Sequence, residues 1–327
     1  MDKIRWGILA TGNVANGMAK ALSESQDAEI VAVASRSREK ADLFGQTWNI
    51  SHCYGNYESL VADPDVDVVY IATPHNLHYE NMLMCLNAGK HVLCEKAFTL
   101  NAQQAEKCIG LAREKGLFLM EAMWMRFFPA MGQVRTWLQE GRIGDIHLLQ
   151  ADFCLNIPFD ANHRLYDLQL GGGALLDLGI YPLSIASMIL GQPQSIQSYA
   201  HVGRTGVDEL DTMLFAYDVG ASAVLSCSLQ VYKPREAFIM GTDGYIKIHN
   251  IFFKPDRLTL HLNGQEPSII DLPYESNGYI HEINEVHACL RDKKTESPLM
   301  PLDETLAIMR LMDGLREKWG VSYPEEK

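Results

Sequence analysis

Short apolar runs alternate with amphipathic stretches through the first third of the chain. The run Gly7-Ile8-Leu9-Ala10 reaches a turn of small residues at Thr11-Gly12, and a helix-forming segment follows at once. Glu29 to Ala34 predicts a second buried strand, and the next helix is expected over residues 38–47. Val66 to Ala72 predicts a further strand, ended by Thr73-Pro74. The stretch from His78 to Ala88 reads as a helix with Gly89 as its C-cap. His91 to Cys94 is the next strand, Asn101 with Gln104 is a capping-box signature for a helix running to Lys115, and Leu117 to Met120 closes the unit. Strand and helix in alternation predict a doubly wound α/β domain over residues 1–122.

Beyond Trp124 the period shortens. Ala223, Leu225, Cys227, Leu229 and Val231 point one way, and Ser226, Ser228 and Gln230 the other. Thr242-Asp243-Gly244 predicts a hairpin turn between Phe238-Ile239-Met240 and Tyr245 to Ile248. Residues 123–327 therefore read as an α+β domain on a mostly antiparallel sheet, with a helix inserted around Gly173 to Leu190. Two helices close the chain, over 279–291 and 302–319. The second carries Leu302, Leu306, Met309, Met312, Leu315 and Trp319 at the helical period, which is a core-facing stripe. It is expected to pack back on the first domain.

Composition narrows the function classes. A hydrophobic content of 47% with 21% charged residues fits a soluble globular protein of two domains. A net charge of −13 argues against nucleic acid and anionic membranes as partners. No apolar run is expected to reach the roughly 18–20 residues of a membrane span. The first strand starts almost at Met1, so no signal peptide is expected. Seven scattered cysteines without a Cys-x-x-Cys suggest reduced thiols and a cytoplasmic protein. His75 and His78 come nearest to metal-ligand spacing but lack a third ligand, so no metal is expected.

The first turn has chemistry of its own. In Ala10-x-Gly12-x-x-Ala15, Gly12 keeps the position where a Cβ would obstruct a dinucleotide pyrophosphate, and Ala15 still permits close helix–strand packing. The helix N-terminus behind it offers free N–H groups and positive dipole. Small residues at such a turn also suit plain packing. At the end of the second strand an NAD enzyme places an acid on the ribose 2′-hydroxyl, whereas this chain has Ser35-Arg36-Ser37-Arg38. A hydroxyl and a guanidinium can hold a 2′-phosphate, which favours NADP; a solvated basic loop is the other reading.

Two further stretches stand out. Glu95-Lys96 follows a parallel strand, where doubly wound sheets bind ligands, so Lys96 is either a substrate-facing cation or a solvated surface lysine. Gly171-Gly172-Gly173, read as flexible, leads into a helix on which Asp177 and Tyr181 lie four apart and share a face. Pro182 is awkward deep in a helix and suggests a distorted or first-turn segment. A carboxylate and a phenol together can orient a substrate and pass a proton, with a lysine lowering the phenol's ordinary pKa of about 10. A buried tyrosine bonded to a capping aspartate uses the same residues.

Gly7-Ile8-Leu9-Ala10-Thr11-Gly12, Ala72-Thr73-Pro74 with His78, Glu95-Lys96 and Asp177-Leu178-Gly179-Ile180-Tyr181 resemble the glucose–fructose oxidoreductase and inositol dehydrogenase family (Gfo/Idh/MocA). Phe118 to Pro129 and the tyrosine at 181 are most similar to its dimeric dihydrodiol dehydrogenase branch. The resemblance implies a Rossmann domain and a C-terminal domain with a large open sheet used for dimerisation. It implies Tyr181 as general acid/base, Lys96 near the substrate oxygen and Asp177 as orienting partner. Cofactor contacts are implied at Ala10, Thr11, Gly12, Asn13, Val14, Ser35, Arg36, Arg38, Thr73, Pro74, His75, His78, Glu95 and Lys96. The substrate pocket would include Trp124, Arg126, Phe153 and Tyr181. The usual Glu-Lys-Pro is here Glu95-Lys96-Ala97, which puts the turn that proline sets in question. The expected activity is NADP-dependent oxidoreduction of a secondary alcohol or ketone in a small polyol, sugar, dicarbonyl or trans-dihydrodiol. An NAD-dependent sugar or inositol-type dehydrogenase and a catalytically silent NADP-binding sensor are the alternatives.

Overall fold

The computed structural model describes residues 2–326. In the first part of the chain the order is β1 (Ile4–Leu9), α1 (Asn13–Glu24), β2 (Ala28–Ala34), α2 (Arg38–Trp48), β3 (His52–Tyr54), α3 (Tyr57–Val61), β4 (Val68–Ile71), α4 (His75–Asn87), β5 (His91–Glu95), α5 (Ala102–Lys115) and β6 (Leu119–Ala122). The strands form one parallel sheet in the order β3-β2-β1-β4-β5-β6. The strand order reverses between β1 and β4, so their carboxyl ends diverge to either side of a crevice. The buried runs behave as the apolar pattern predicts: Ile8, Leu9, Val33, Val69 and Ile71 are fully buried.

α6 (Pro129–Gln139), β7 (Ile146–Cys154), α7 (Ile180–Leu190), β8 (Ser195–Val202), β9 (Asp208–Ala216), β10 (Ser222–Ser228), β11 (Ala237–Gly241), β12 (Gly244–Ile248), β13 (Arg257–Leu262) and β14 (Ser268–Asp271) follow, and α8 (Tyr279–Arg291) and α9 (Leu302–Trp319) close the chain. The second sheet runs β14-β13-β12-β11-β7-β10-β9-β8, antiparallel throughout except for the parallel pair β7–β10. The hairpin predicted at Thr242 to Gly244 joins β11 and β12. Ala223, Leu225, Cys227 and Leu229 are buried as their alternation requires, whereas Val231 lies beyond β10 and is exposed.

The boundary between domains differs from the one expected at residues 122/123. Residues 1–124 form one compact unit with 275–309, and 125–274 form the other with 310–327. The reason lies in α8. Tyr279 packs over Gly17 of α1, Asn277 Nδ2 donates to Gly17 O at 2.7 Å, and Trp6 Nε1 of β1 donates to His287 Nε2 at 3.1 Å. α9 is divided at Met309/Arg310 instead of belonging to one unit.

One expectation from hydropathy is overturned. The helical run Leu168–Leu190 is long and apolar enough to cross a membrane, with a mean hydropathy of 1.6, but 78% of that window is buried inside the fold. Its apolar residues, among them Leu175, Leu176, Ile180 and Leu183, are used by the core of the second unit.

Candidate active site

At the carboxyl end of β1 a cleft of about 450 Å³ opens over Ala10, Thr11 and Gly12. Gly12 caps α1 with φ −77° and ψ −174°, a conformation open to any residue, and a Cβ built there meets no atom within 4 Å. Neither backbone nor packing demands glycine at this position. The space a side chain would fill is the space a pyrophosphate needs, and α1 has neither a side-chain cap nor an acid in its first turn to compete for it. Asn13 and Val14 supply the first residues of that helix, and Val14 is exposed. Ala10 has a positive φ of 80°, the conformation for which glycine is the ordinary choice.

One side of the cleft is basic. Ser35, Arg36 and Lys40 line it with Leu43, Phe44 and Tyr57. Among the described residues no carboxylate pairs with Arg36 or Lys40, whereas Arg38 is committed to Asp42 at 2.8 Å and does not line the cleft. Lys40, two residues further along α2, lines the cleft where Arg38 does not.

The strand ends beyond the reversal point are tied together. Pro74 reaches the cleft, and the buried Thr73 hydroxyl accepts from Asn81 Nδ2 at 2.9 Å. His78, expected against the cofactor, is instead fully buried, its ring nitrogens 2.8 Å from Thr73 O and 2.9 Å from Ala97 O. Burial pulls its pKa down to about 4, so the neutral ring sits between the loops after β4 and β5 and donates its one N–H to one of these two carbonyls. His75 Nε2 lies 3.2 Å from Lys96 O. The Lys96–Ala97 peptide bond is cis. Glu95 is buried and accepts from the Tyr70 hydroxyl. Among the described residues the side chains that converge as a cation would need are His52, Asp63 and Asp65, away from this cleft, rather than His75 and His78.

In the second unit, Asp177 and Tyr181 are joined by a π-helical turn over Leu175–Gly179 that runs directly into α7. Wide turns of this kind occur often at functional sites, and Pro182, third in α7, falls where the two helix types meet. Tyr181 packs in an aromatic group with Phe153 of β7 and with Phe253, at ring-centroid distances of 5.5 and 4.7 Å. Asp177 is held bidentately by Arg164, whose Nη atoms lie 3.1 and 3.0 Å from its two oxygens. This two-point hold fixes the plane of the carboxyl group. Two of the three glycines are required by their surroundings: a Cβ at Gly172 would lie 2.7 Å from two carbonyl oxygens, and Gly173 has a φ of +120°. Arg126, expected in the substrate pocket, is buried instead, with Nε and Nη2 both 2.9 Å from Ser184 Oγ and O, and so it braces α7. Trp124, in the first unit, stacks on Tyr279 at 4.8 Å.

The family model described as the oxidoreductase family with an NAD-binding Rossmann fold matches residues 4–123, and the Gfo/Idh/MocA C-terminal domain matches 131–247. The chain is also 39% identical to the trans-1,2-dihydrobenzene-1,2-diol dehydrogenase of Mus musculus, over 99% of each chain. The chain belongs to the Gfo/Idh/MocA oxidoreductase family. The dehydrogenase of the same name from Xenopus laevis is 37% identical over 98% of this chain and 99% of its own. Among solved structures, the 3-ketoreductase KijD10 of Actinomadura kijaniata, in complex with NADP and TDP-benzene, superposes with a TM-score of 0.87 at 27% identity, covering 97% of this chain and 98% of that one. The Gfo/Idh/MocA architecture thus accounts for both sheets.

Sequence reasoning missed Lys40, Tyr57, Arg164 and Phe253, which come from separate turns of chain with no shared motif. It also missed Glu282 on α8. Glu282 is fully buried, and neither carboxyl oxygen has a hydrogen-bond partner among the described residues. Burial first, and the charge of Glu95 second, push its pKa well above the usual carboxylate range. A raised folded-state pKa means that stability present below the unfolded value, about 4.3, is lost as pH rises towards the folded one. Glu282→Met should therefore stabilise the protein by about 1–3 kcal/mol at pH 7 and by less near pH 4. Thermal melts at both pH values test this; a lower melting temperature at pH 7 contradicts it.

Proposed function

We propose that this protein is an NADP-dependent oxidoreductase that interconverts a secondary alcohol and its ketone in a small polyol, sugar, dicarbonyl or trans-dihydrodiol. The observation that carries the reading is Gly12, a glycine required by nothing within the protein at the mouth of a cleft with a basic wall. The names of the relatives, dihydrodiol dehydrogenases and an NADP-bound ketoreductase, support the substrate class and the cofactor.

Thr11, Gly12 and the N-terminus of α1 would hold the pyrophosphate, and Ser35, Arg36 and Lys40 the 2′-phosphate. When bound, the nicotinamide accepts or gives the hydride. Tyr181 takes the hydroxyl proton in oxidation and returns it in reduction, and its ring is held by Phe153 and Phe253. Asp177, fixed by Arg164, orients the substrate. Lys96 stabilises the developing alkoxide.

The homodimer we propose uses the open face of the second sheet. On it Leu214 of β9 and Val224 of β10 are paired neighbours, and Tyr199 of β8 lies diagonally beside them, all three exposed. Seven free cysteines, six of them buried, fit a cytoplasmic setting.

Arg36→Ala tests the cofactor assignment. Removing one charged hydrogen-bond donor from a phosphate costs about 1.5–3 kcal/mol. The Kd for NADPH should rise roughly 10- to 100-fold, and that for NADH should change little. Equal losses for the two cofactors, read by fluorescence titration, would defeat the assignment.

A further inference from the structure

β9 begins with two fully buried acids, Asp208 and Asp211, and among the described residues neither forms an ion pair. Each uses one oxygen. Asp208 Oδ2 accepts the Leu175 N–H at 2.6 Å, and Asp211 Oδ2 accepts the Cys227 S–H at 3.1 Å. Oδ1 of each is buried without a partner, and the two carboxyl groups face one another within hydrogen-bonding reach. Two adjacent buried carboxylates cannot both ionise, and a single proton between them supplies the missing bond.

The pair touches the π-helical turn at both ends. At its start, Asp208 bonds Leu175, and a Cβ on Gly173 would lie 2.4 Å from Asp208 Oδ1. At its end, a Cβ on Gly179 would lie 2.8 Å from Cys227 Sγ, the sulfur bonded to Asp211. Asp177 lies between these two grips, and Tyr181 two residues beyond the second.

We propose that Asp208 and Asp211, sharing one proton, are positioning residues that set the π-helical turn and so aim Asp177 and Tyr181 at the substrate. The proposal rests on the catalytic reading of Tyr181 given above. The other titratable groups facing the pair are Cys154 of β7, Cys227 of β10, and Tyr323 and Arg316 near the C-terminus. Tyr323 donates to Gly172 O at 2.8 Å, and Arg316 is bound by Asp313 and Glu326, each at 2.7 Å. Burial raises both Asp211 and the Cys227 thiol, which keeps the S–H in place as a donor.

Two variants separate positioning from bulk stability. In Asp211→Asn an amide N–H replaces the shared proton towards Asp208, and the amide oxygen still accepts from Cys227. Its kcat should stay within about threefold of the parent chain. Asp208→Ala frees the start of the turn, and since a 1 Å misplacement costs on the order of 10²-fold, kcat should fall about 10- to 100-fold. KM for the carbonyl substrate and Kd for NADPH should hold within about twofold. An unchanged kcat in Asp208→Ala, or Asp211→Asn as impaired as Asp208→Ala, overturns the proposal. Infrared spectroscopy at pH 8 does not depend on that variant folding or on any turnover. The parent-minus-Asp211→Asn difference spectrum should show a protonated-carboxyl band, any contribution from Glu282 being common to both, and identical spectra overturn the shared proton. A parent chain without turnover counts instead against the functional reading, and the infrared comparison still decides the pair.

Discussion

Tyr181→Phe should lower kcat by about 10²- to 10⁴-fold, the range a positioned acid/base contributes, with the Kd for NADPH unchanged. The variant is clean because the ring is held by Phe153 and Phe253 through its faces and edges, which phenylalanine keeps. Only the hydroxyl is removed. The loss should appear in kcat and kcat/KM alike, because the proton moves only in the reacting complex. Steady-state kinetics with a carbonyl substrate and fluorescence titration of the cofactor check both halves. Turnover near that of the parent chain removes Tyr181 from the mechanism.

Gly12→Val should weaken NADPH and NADH binding by roughly 100-fold or more, equivalent to about 3 kcal/mol of charge-assisted bonding at the helix N-terminus. The structure predicts that the fold tolerates the change, since φ at Gly12 is ordinary and its Cβ direction is open. Melting temperature should therefore hold while affinity collapses. This pattern separates the variant from Arg36→Ala, which acts on NADPH alone. Unchanged affinity for either dinucleotide would place the pyrophosphate elsewhere.

Much of the fold was legible in the sequence because its elements announce themselves locally. The apolar periods delimit α8 and α9 at Tyr279–Arg291 and Leu302–Trp319, and Asn101 caps α5 through the Gln104 N–H as its spacing predicts. What local pattern cannot carry is the return of residues 275–309 to the first unit, which depends on Gly17 admitting Tyr279 from more than two hundred residues away in sequence. The same limit applies at the site. Tyr181 and Asp177 could be singled out by spacing, but Arg164 reaches Asp177 through a loop, and the Asp208–Asp211 pair looks in sequence like two ordinary strand acids. Burial also reverses the reading of some polar residues. Arg126 and His78 look like ligand contacts in a motif, yet each is used as a brace by backbone or hydroxyl groups around it.

The measurement that tests the central claim most directly is nicotinamide absorbance of the purified protein with NADPH or NADH and a panel of dicarbonyls, sugars and polyols, together with a trans-dihydrodiol and NADP. The account predicts turnover on at least one panel member, faster with NADPH than with NADH, after saturable binding of NADPH in the fluorescence titration. Absence of binding by both cofactors would contradict it from the glycine turn onward.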